Sequence, residues 1–407
     1  MVEVISLLSA SAVRERAHGL LALGLDDRLP HFRIDLSRLD AVADLVLAVT
    51  QNAYPAGDVP FHARWRHFVV GGRDRWAAVA DKISWPDAAA RARAEFDLAI
   101  ASVLLDAGAG PAWRYHDAVT RQRIGRSEGL ALASLDMFAA GAFSNRADWA
   151  LRADADKLTT LSVNDLERGF QVDADNPLVG LDGRTELLRS LGELIARQPG
   201  VFASKDAARP GGLFDHLVAQ TRNSRIEAAT ILSELLVQLG PIWPSRITLE
   251  GVALGDCWRH PALITDDATS GLVPLHKLSQ WMTYSLIEPL QRAGVEVVNI
   301  DGLTGLAEYR NGGLFVDGGV LTLRDADDAA RAHAVDSQLV VEWRALTVAL
   351  LDRLAAVIRQ RLGQDAESLP LAKILEGGTW AAGRKLAFGR RPDGSPPLKV
   401  ISDGTVF

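Results

Sequence analysis

The chain has 407 residues, 48% of them hydrophobic, with a formal net charge of −7 and a single cysteine, Cys257. That length and apolar share suit one large domain or two fused ones, and the acidic balance argues against a protein that grips nucleic-acid backbones. One cysteine excludes an intramolecular disulfide and any multi-cysteine metal site, and it fits a reducing compartment.

The first apolar run carries Glu3 where a signal peptide would carry a basic residue. No stretch reaches the roughly 18–20 apolar residues of a membrane helix. A cytoplasmic protein, off the membrane, is therefore expected. Helical periodicity covers 5–24, with Ser9 or Ser11 as cap, and then 37–50, with Leu39, Val42, Leu45, Val46 and Val49 on one stripe. Pro86 opens a further helix that stops at Gly108. Helices are also expected over 128–140, 184–197, 212–239, 274–293 and 337–362. The last carries Leu339, Trp343, Leu346, Leu350, Leu354, Val357 and Ile358 on one face. Strand signals are sparse: 246–253, 295–300, and a hairpin over 313–323 with Asp317-Gly318-Gly319 as its turn. The expected fold class is mainly α with a small β element. The stretch 171–183, rich in Gly, Asn and Asp, reads as a hinge that could subdivide one unit into 1–175 and 176–407.

Five polar segments stand out. Arg64-Trp65-Arg66-His67-Phe68 interleaves arginine with aromatic rings, a pattern suited to a phosphate and a base together, or to an edge hairpin with a solvated face. Asp106-Ala107-Gly108-Ala109-Gly110-Pro111 ends one helix and offers a Gly-rich turn, with Pro111 placed to open the next helix and Trp113 just beyond. Arg126-Ser127-Glu128-Gly129 reads as helix initiation. Asp256-Cys257-Trp258-Arg259-His260 matches no usual zinc spacing and reads as a loop, with Cys257 structural. The fifth is composite: His276-Lys277-Leu278-Ser279-Gln280-Trp281, then Ala307-Glu308-Tyr309-Arg310, then Glu342-Trp343-Arg344. A lysine, a carboxylate, a tyrosine and a Glu-x-Arg pair on one site would suffice to break a C–N glycosidic bond. Taken singly, each is an ordinary surface ion pair.

The blocks LVPLHKLSQWMTYSLIEPL, GLTGLAEYRNGGL, VEWRALTVALLDRLA and LPLAKILEGGTWAAGRK resemble the uracil-catabolism family, a fungal and bacterial family catalogued as a domain of unknown function. The likeness extends to RWRHFVVGGRDRW, SVLLDAGAGPAWRY, RSEGLALASLDMF, NPLVGLDGR and the terminal SDGTVF. More distantly, the C-terminal half is similar to the queuosine-5′-phosphate N-glycosidases, which have a Lys-Arg-Ala-Gln helix, an Ala-Asp-Tyr-Arg block and a Glu-x-Arg helix in that order. That resemblance implies a helical fold related to helix-hairpin-helix DNA glycosylases, a catalytic carboxylate at Glu308 and a 5′-phosphate contact at Lys277. Two departures matter. Glutamate stands where those enzymes have aspartate, and Leu278 and Ser279 replace their arginine and alanine.

The family context implies a ribosylurea species from which urea must be cut. The resulting expectation is an N-glycosidase acting on ribosylurea 5′-phosphate or a related opened uracil nucleotide. Glu308 is the catalytic carboxylate, and Asp106 and Glu342 are the candidate acids for the leaving nitrogen. Lys277, Tyr309, Arg310, Arg344, Arg64, Arg66, His67, Trp113, Gln280 and Trp281 are the candidate substrate and phosphate contacts. No cofactor or metal is called for, and the expected partner is a small nucleotide-like molecule. A nucleotide sensor on the same fold and an amidohydrolase acting on the opened ring are the competing readings. The terminal Ser402-Asp403-Gly404-Thr405-Val406-Phe407 is expected to fray or to pack back near the site.

Overall fold

The computed structural model describes residues 2–203, 207–243 and 247–401. Its longer helices are α1 (Ala10–Leu25), α2 (Leu39–Ala53), α3 (Ala88–Leu104), α4 (Arg126–Ala139), α5 (Leu181–Arg197), α6 (Ala228–Gln238), α7 (Lys277–Arg292), α8 (Tyr309–Asp317), α9 (Gln338–Leu362) and α10 (Trp380–Arg390). The fold is mainly α. Among the described residues the β structure consists of two-stranded pieces only. No helix of the described residues is long and apolar enough to cross a membrane.

Local chemistry explains the helix starts. Ser9 accepts the Ala12 amide and begins α1, while Asp87 accepts the Ala90 amide at 2.6 Å and begins α3. Pro86 therefore sits before the cap rather than inside the first turn. Ser337 accepts the Val340 amide and begins α9. Each cap satisfies one of the amides that a helix N-terminus leaves without an intrahelical partner.

The long helix α9 runs through the centre and is buried from Leu339 to Leu351. It packs on α1, α2 and α8, while α7 packs on α3 and α6. One buried apolar cluster extends from Val4 to Leu398. Strand pairing ties distant chain segments. Phe32–Ile34 lies antiparallel to Leu321–Leu323, Arg225–Glu227 lies parallel to Glu296–Val298, and Ala332–Ala334 lies parallel to Lys399–Ile401.

Two expectations about elements are corrected. The span 212–239 is not one helix. It holds Gly212–Ala219 and α6, parted by a turn in which Asn223 and Ser224 take positive φ of 53° and 57°. The span 313–323 is not a hairpin. Asp317-Gly318-Gly319 ends α8: the Gly319 amide reaches Val316 O at 3.1 Å and the Val320 amide reaches Phe315 O at 2.9 Å. That pair of bonds is a Schellman motif, with Gly319 at φ 78° in the left-handed region. Two glycines after an aspartate serve a helix end as well as a hairpin turn, so the local signal was ambiguous. The strand Leu321–Leu323 then pairs with Phe32–Ile34, nearly 300 residues upstream, rather than with its neighbour.

A Cβ at Gly319 would meet open space, with Arg38 Cγ nearest at 3.9 Å, so a Gly319→Ala variant is penalised by backbone conformation alone. The expected loss is about 1–2 kcal/mol, read as a lower urea midpoint with an unchanged m-value.

Candidate active site

Buried charge organises the centre of the molecule. The Asp256 carboxylate pairs with both terminal nitrogens of Arg344, at 2.8 and 2.9 Å. It also accepts Trp258 Nε1–H at 2.6 Å and the Lys277 amide at 2.9 Å. The Asp256 carbonyl accepts the Leu275 and His276 amides. Arg344 Nε–H donates to Ala307 O at 3.1 Å. One ion pair thus fixes the start of α7 and the residue before Glu308. His276, at the turn into α7, holds φ 46°, and its Nε2 bonds Leu7 O at 2.9 Å. Burial acts to raise the Asp256 pKa, but the Arg344 guanidinium outweighs it and holds the carboxyl at about 2.

A cavity of about 610 Å³ opens beside this pair. Its walls come from the N-termini of α4, α7 and α8, the Gly-rich loop after α3, and the segment 393–400. Gly383 of α10 seats directly on Arg310 O, so α10 presses α8 against this space.

Glu308 is 9% exposed and lines the cavity. It is the N-cap of α8, and its two oxygens accept the Arg310 and Asn311 amides, each at 2.6 Å. The added methylene relative to aspartate lets the side chain curl back onto both amides. Burial pushes its pKa up, and the two amides and Lys277 pull it back. Lys277 lines the same wall. Its pKa is lowered by burial, against the pull of Asp106 and Glu308.

Asp106 follows the C-terminus of α3, where the helix dipole disfavours a negative charge. Arg64 compensates, donating to Asp106 Oδ1 at 2.6 Å, and Ser127 Oγ–H donates to Oδ2 at 2.9 Å. The loop itself does not lead into a helix at Pro111; the next element is the short strand Tyr115–His116. Arg64 is fully buried and lies 5.4 Å from the Trp281 ring centroid. Trp281 faces the cavity between two histidines, with ring centroids 6.3 Å from His62 and 5.4 Å from His67. Burial and neighbouring Arg64 push the His67 pKa down to about 3. Arg310 and Tyr309 line the far side, with the Arg310 guanidinium 4.9 Å over the Tyr309 ring. Arg310 donates to Gly394 O at 2.7 Å and so holds the 393–400 segment. Among the described residues, its Nε and Arg126 Nη1 are buried without a hydrogen-bond partner.

The cavity therefore gathers Glu308, Asp106, Lys277, Tyr309, Arg310, His67 and Trp281. Other candidates lie elsewhere. Glu342 is fully buried and accepts the Phe32 amide at 2.9 Å and the His31 amide at 3.3 Å, with His260 Nε2 at 3.2 Å. Its carboxylate joins α9 to the N-terminal strand and is set aside as an acid. Arg344 is held by Asp256 and Ala307. Arg66 pairs with Glu288 at 2.8 Å, and Gln280 Nε2–H donates to Thr304 Oγ1 at 2.8 Å. Trp113 is fully buried and donates to Phe170 O at 2.9 Å. Arg64 sits behind Asp106, as a support. Cys257 is buried, and burial pushes its thiol up to about 12. Three residues at or beside this cavity had no functional assignment from the sequence. Asp256 was read as a loop residue, Arg126 as helix initiation, and His62 carried no local motif. The terminal segment 402–407 lies outside the described residues, but 393–400, just before it, lines the cavity.

A family profile described as "Protein of unknown function (DUF1688)" matches residues 6–407. Protein urg3 of Schizosaccharomyces pombe is 42% identical over 414 residues, covering 99% of each chain. Uracil catabolism protein 4 of Lachancea kluyveri is 36% identical over 409 residues, covering 93% of this chain and 92% of that one.

Asp256→Asn would leave Arg344 buried without its counter-charge, at an expected cost of about 3–5 kcal/mol. The sign with pH follows from the depressed pKa. The stabilisation is complete above the ordinary value of 3.8 and is lost as pH falls through about 2. Thermal unfolding from pH 6 to pH 2 should show that acid limb in the parent protein and a flatter one in the variant.

Proposed function

This chain belongs to the DUF1688 family, and we propose that it is an N-glycosidase of uracil catabolism. The reaction is hydrolysis of ribosylurea 5′-phosphate, or of a closely related opened uracil nucleotide, to urea and ribose 5-phosphate. The pathway rests on the relative named Uracil catabolism protein 4. The chemistry rests on one observation above the others: Glu308, a buried carboxylate pinned by two amides on the wall of a nucleotide-sized cavity.

As the C1′–N bond breaks, positive charge develops on the ribose ring. A carboxylate already fixed in place stabilises that charge without reorganising. Lys277, Arg126 and Arg310 are the cations available to the 5′-phosphate, and helix N-termini on the same walls add to the positive field. The face of Trp281 offers a platform for the planar urea. Kinship with the helical N-glycosidases belongs to the same proposal.

The test is turnover by the purified protein of uridine 5′-phosphate, ribosylurea and ribosylurea 5′-phosphate, with urea and free sugar quantified. Urea release from the phosphorylated compound alone is expected. Glu308→Gln should slow it by at least about 100-fold while keeping the parent melting temperature. Undiminished turnover in that variant would remove Glu308 from the mechanism. Tight binding without turnover by the parent protein would favour the nucleotide sensor.

A further inference from the structure

Urea is a poor leaving group unless its nitrogen is protonated as the bond breaks, and both oxygens of Glu308 are engaged by amides, as both of Asp106 are by Arg64 and Ser127. The cavity contains two histidines in opposite surroundings. His67 lies against Arg64, 3.3 Å from Nη1, and its depressed pKa keeps the ring neutral. His62 is paired instead with a carboxylate. Its Nδ1 lies 2.8 Å from Glu376 Oε2, and the other Glu376 oxygen accepts Tyr54 Oη–H at 3.1 Å.

The dyad is built into the backbone. The His62 amide donates to Ala372 O at 2.9 Å. Glu376 lies on a single π-helical turn, Leu375–Thr379, inserted between Leu371–Ile374 and α10. Gly377 and Gly378 of that turn seat against Thr50 and Val46 of α2, where added Cβ atoms would lie 2.5–2.9 Å from their neighbours. Such turns often occur at functional sites. With Nδ1 taken by Glu376, Nε2 is the free nitrogen: it makes no hydrogen bond among the described residues, and the ring lines the cavity beside Trp281.

We propose that His62 is the general acid of this site and that Glu376 is its positioning residue, a conclusion that rests on the N-glycosidase reading. His62 Nε2 gives its proton to the departing nitrogen as the C1′–N electron pair moves onto that nitrogen, so urea leaves neutral. Water adds hydroxyl to C1′ and releases its other proton to solvent, from which His62 is reprotonated. The Nδ1–H···Glu376 hydrogen bond is kept throughout and holds the ring in place.

The experiment compares two substrates that share the ribose 5-phosphate part and differ in their need for an acid: ribosylurea 5′-phosphate and 4-nitrophenyl β-D-ribofuranoside 5-phosphate, whose nitrophenolate leaves unaided. His62→Gln should release urea at least about 100-fold more slowly than the parent. It should release nitrophenolate at nearly the parent rate, which also demonstrates an intact fold. Glu376→Gln should show the same selectivity with a smaller loss. Added imidazole should restore part of the urea release in His62→Ala, a readout that needs no activated substrate. Equal losses on both substrates with no imidazole rescue, or unchanged urea release in His62→Gln, would overturn the acid assignment while leaving the N-glycosidase standing. A parent protein that turns over neither compound would overturn both.

Discussion

The candidate site depends on one buried ion pair. Asp256 and Arg344 are joined by two hydrogen bonds, and two of their further contacts lead to the cavity wall: Lys277 through its amide, Glu308 through Ala307 O. A buried pair of charges is expensive to desolvate and seldom adds net stability. Its value here is geometric. The remaining polar atoms of the carboxylate are satisfied by Trp258 and Lys277, so the pair has one arrangement, and the two helix starts it touches inherit that arrangement.

The cavity is assembled from helix ends. The starts of α4, α7 and α8 supply backbone amides and positive potential, and they also carry Arg126, Lys277 and Arg310. Such a space favours an anion. Two of the carboxylates that line it, Glu308 and Asp106, are each held differently. Glu308 caps α8 and is stabilised by the same helix end that attracts an anion. Asp106 stands at the unfavourable end of α3 and requires the buried guanidinium of Arg64. Glu308 thereby faces the cavity from a helix start, while Asp106 is tied to the wall by Arg64 and Ser127.

Much of this architecture is legible in the chain itself. The cap Ser9, the helix start signalled by Pro86 and the apolar stripes of α2 and α9 are local signals, read within one or two turns of helix, and they place those helices to within a few residues. The motif blocks that resemble a family brought Lys277, Glu308, Tyr309 and Arg310 forward, and those four line one cavity. The misread segments share a cause. A glycine pair at 318–319 suits a helix end or a hairpin, and only the partner at Phe32–Ile34 decides between them.

By itself the sequence determined what short-range physics can determine: the helices, the acidic balance, the family blocks and the residues able to do chemistry. The tertiary structure decided which of those residues are already spent. Asp256 meets Arg344 across 88 positions, His260 meets Glu342 across 82, and Arg66 meets Glu288 across 222. His62 finds Glu376 across 314 positions. A charged side chain reads the same in the sequence whether its partner is a buried counter-ion or a substrate. The difference lies in desolvation and contact geometry, and these exist only once the chain has closed on itself.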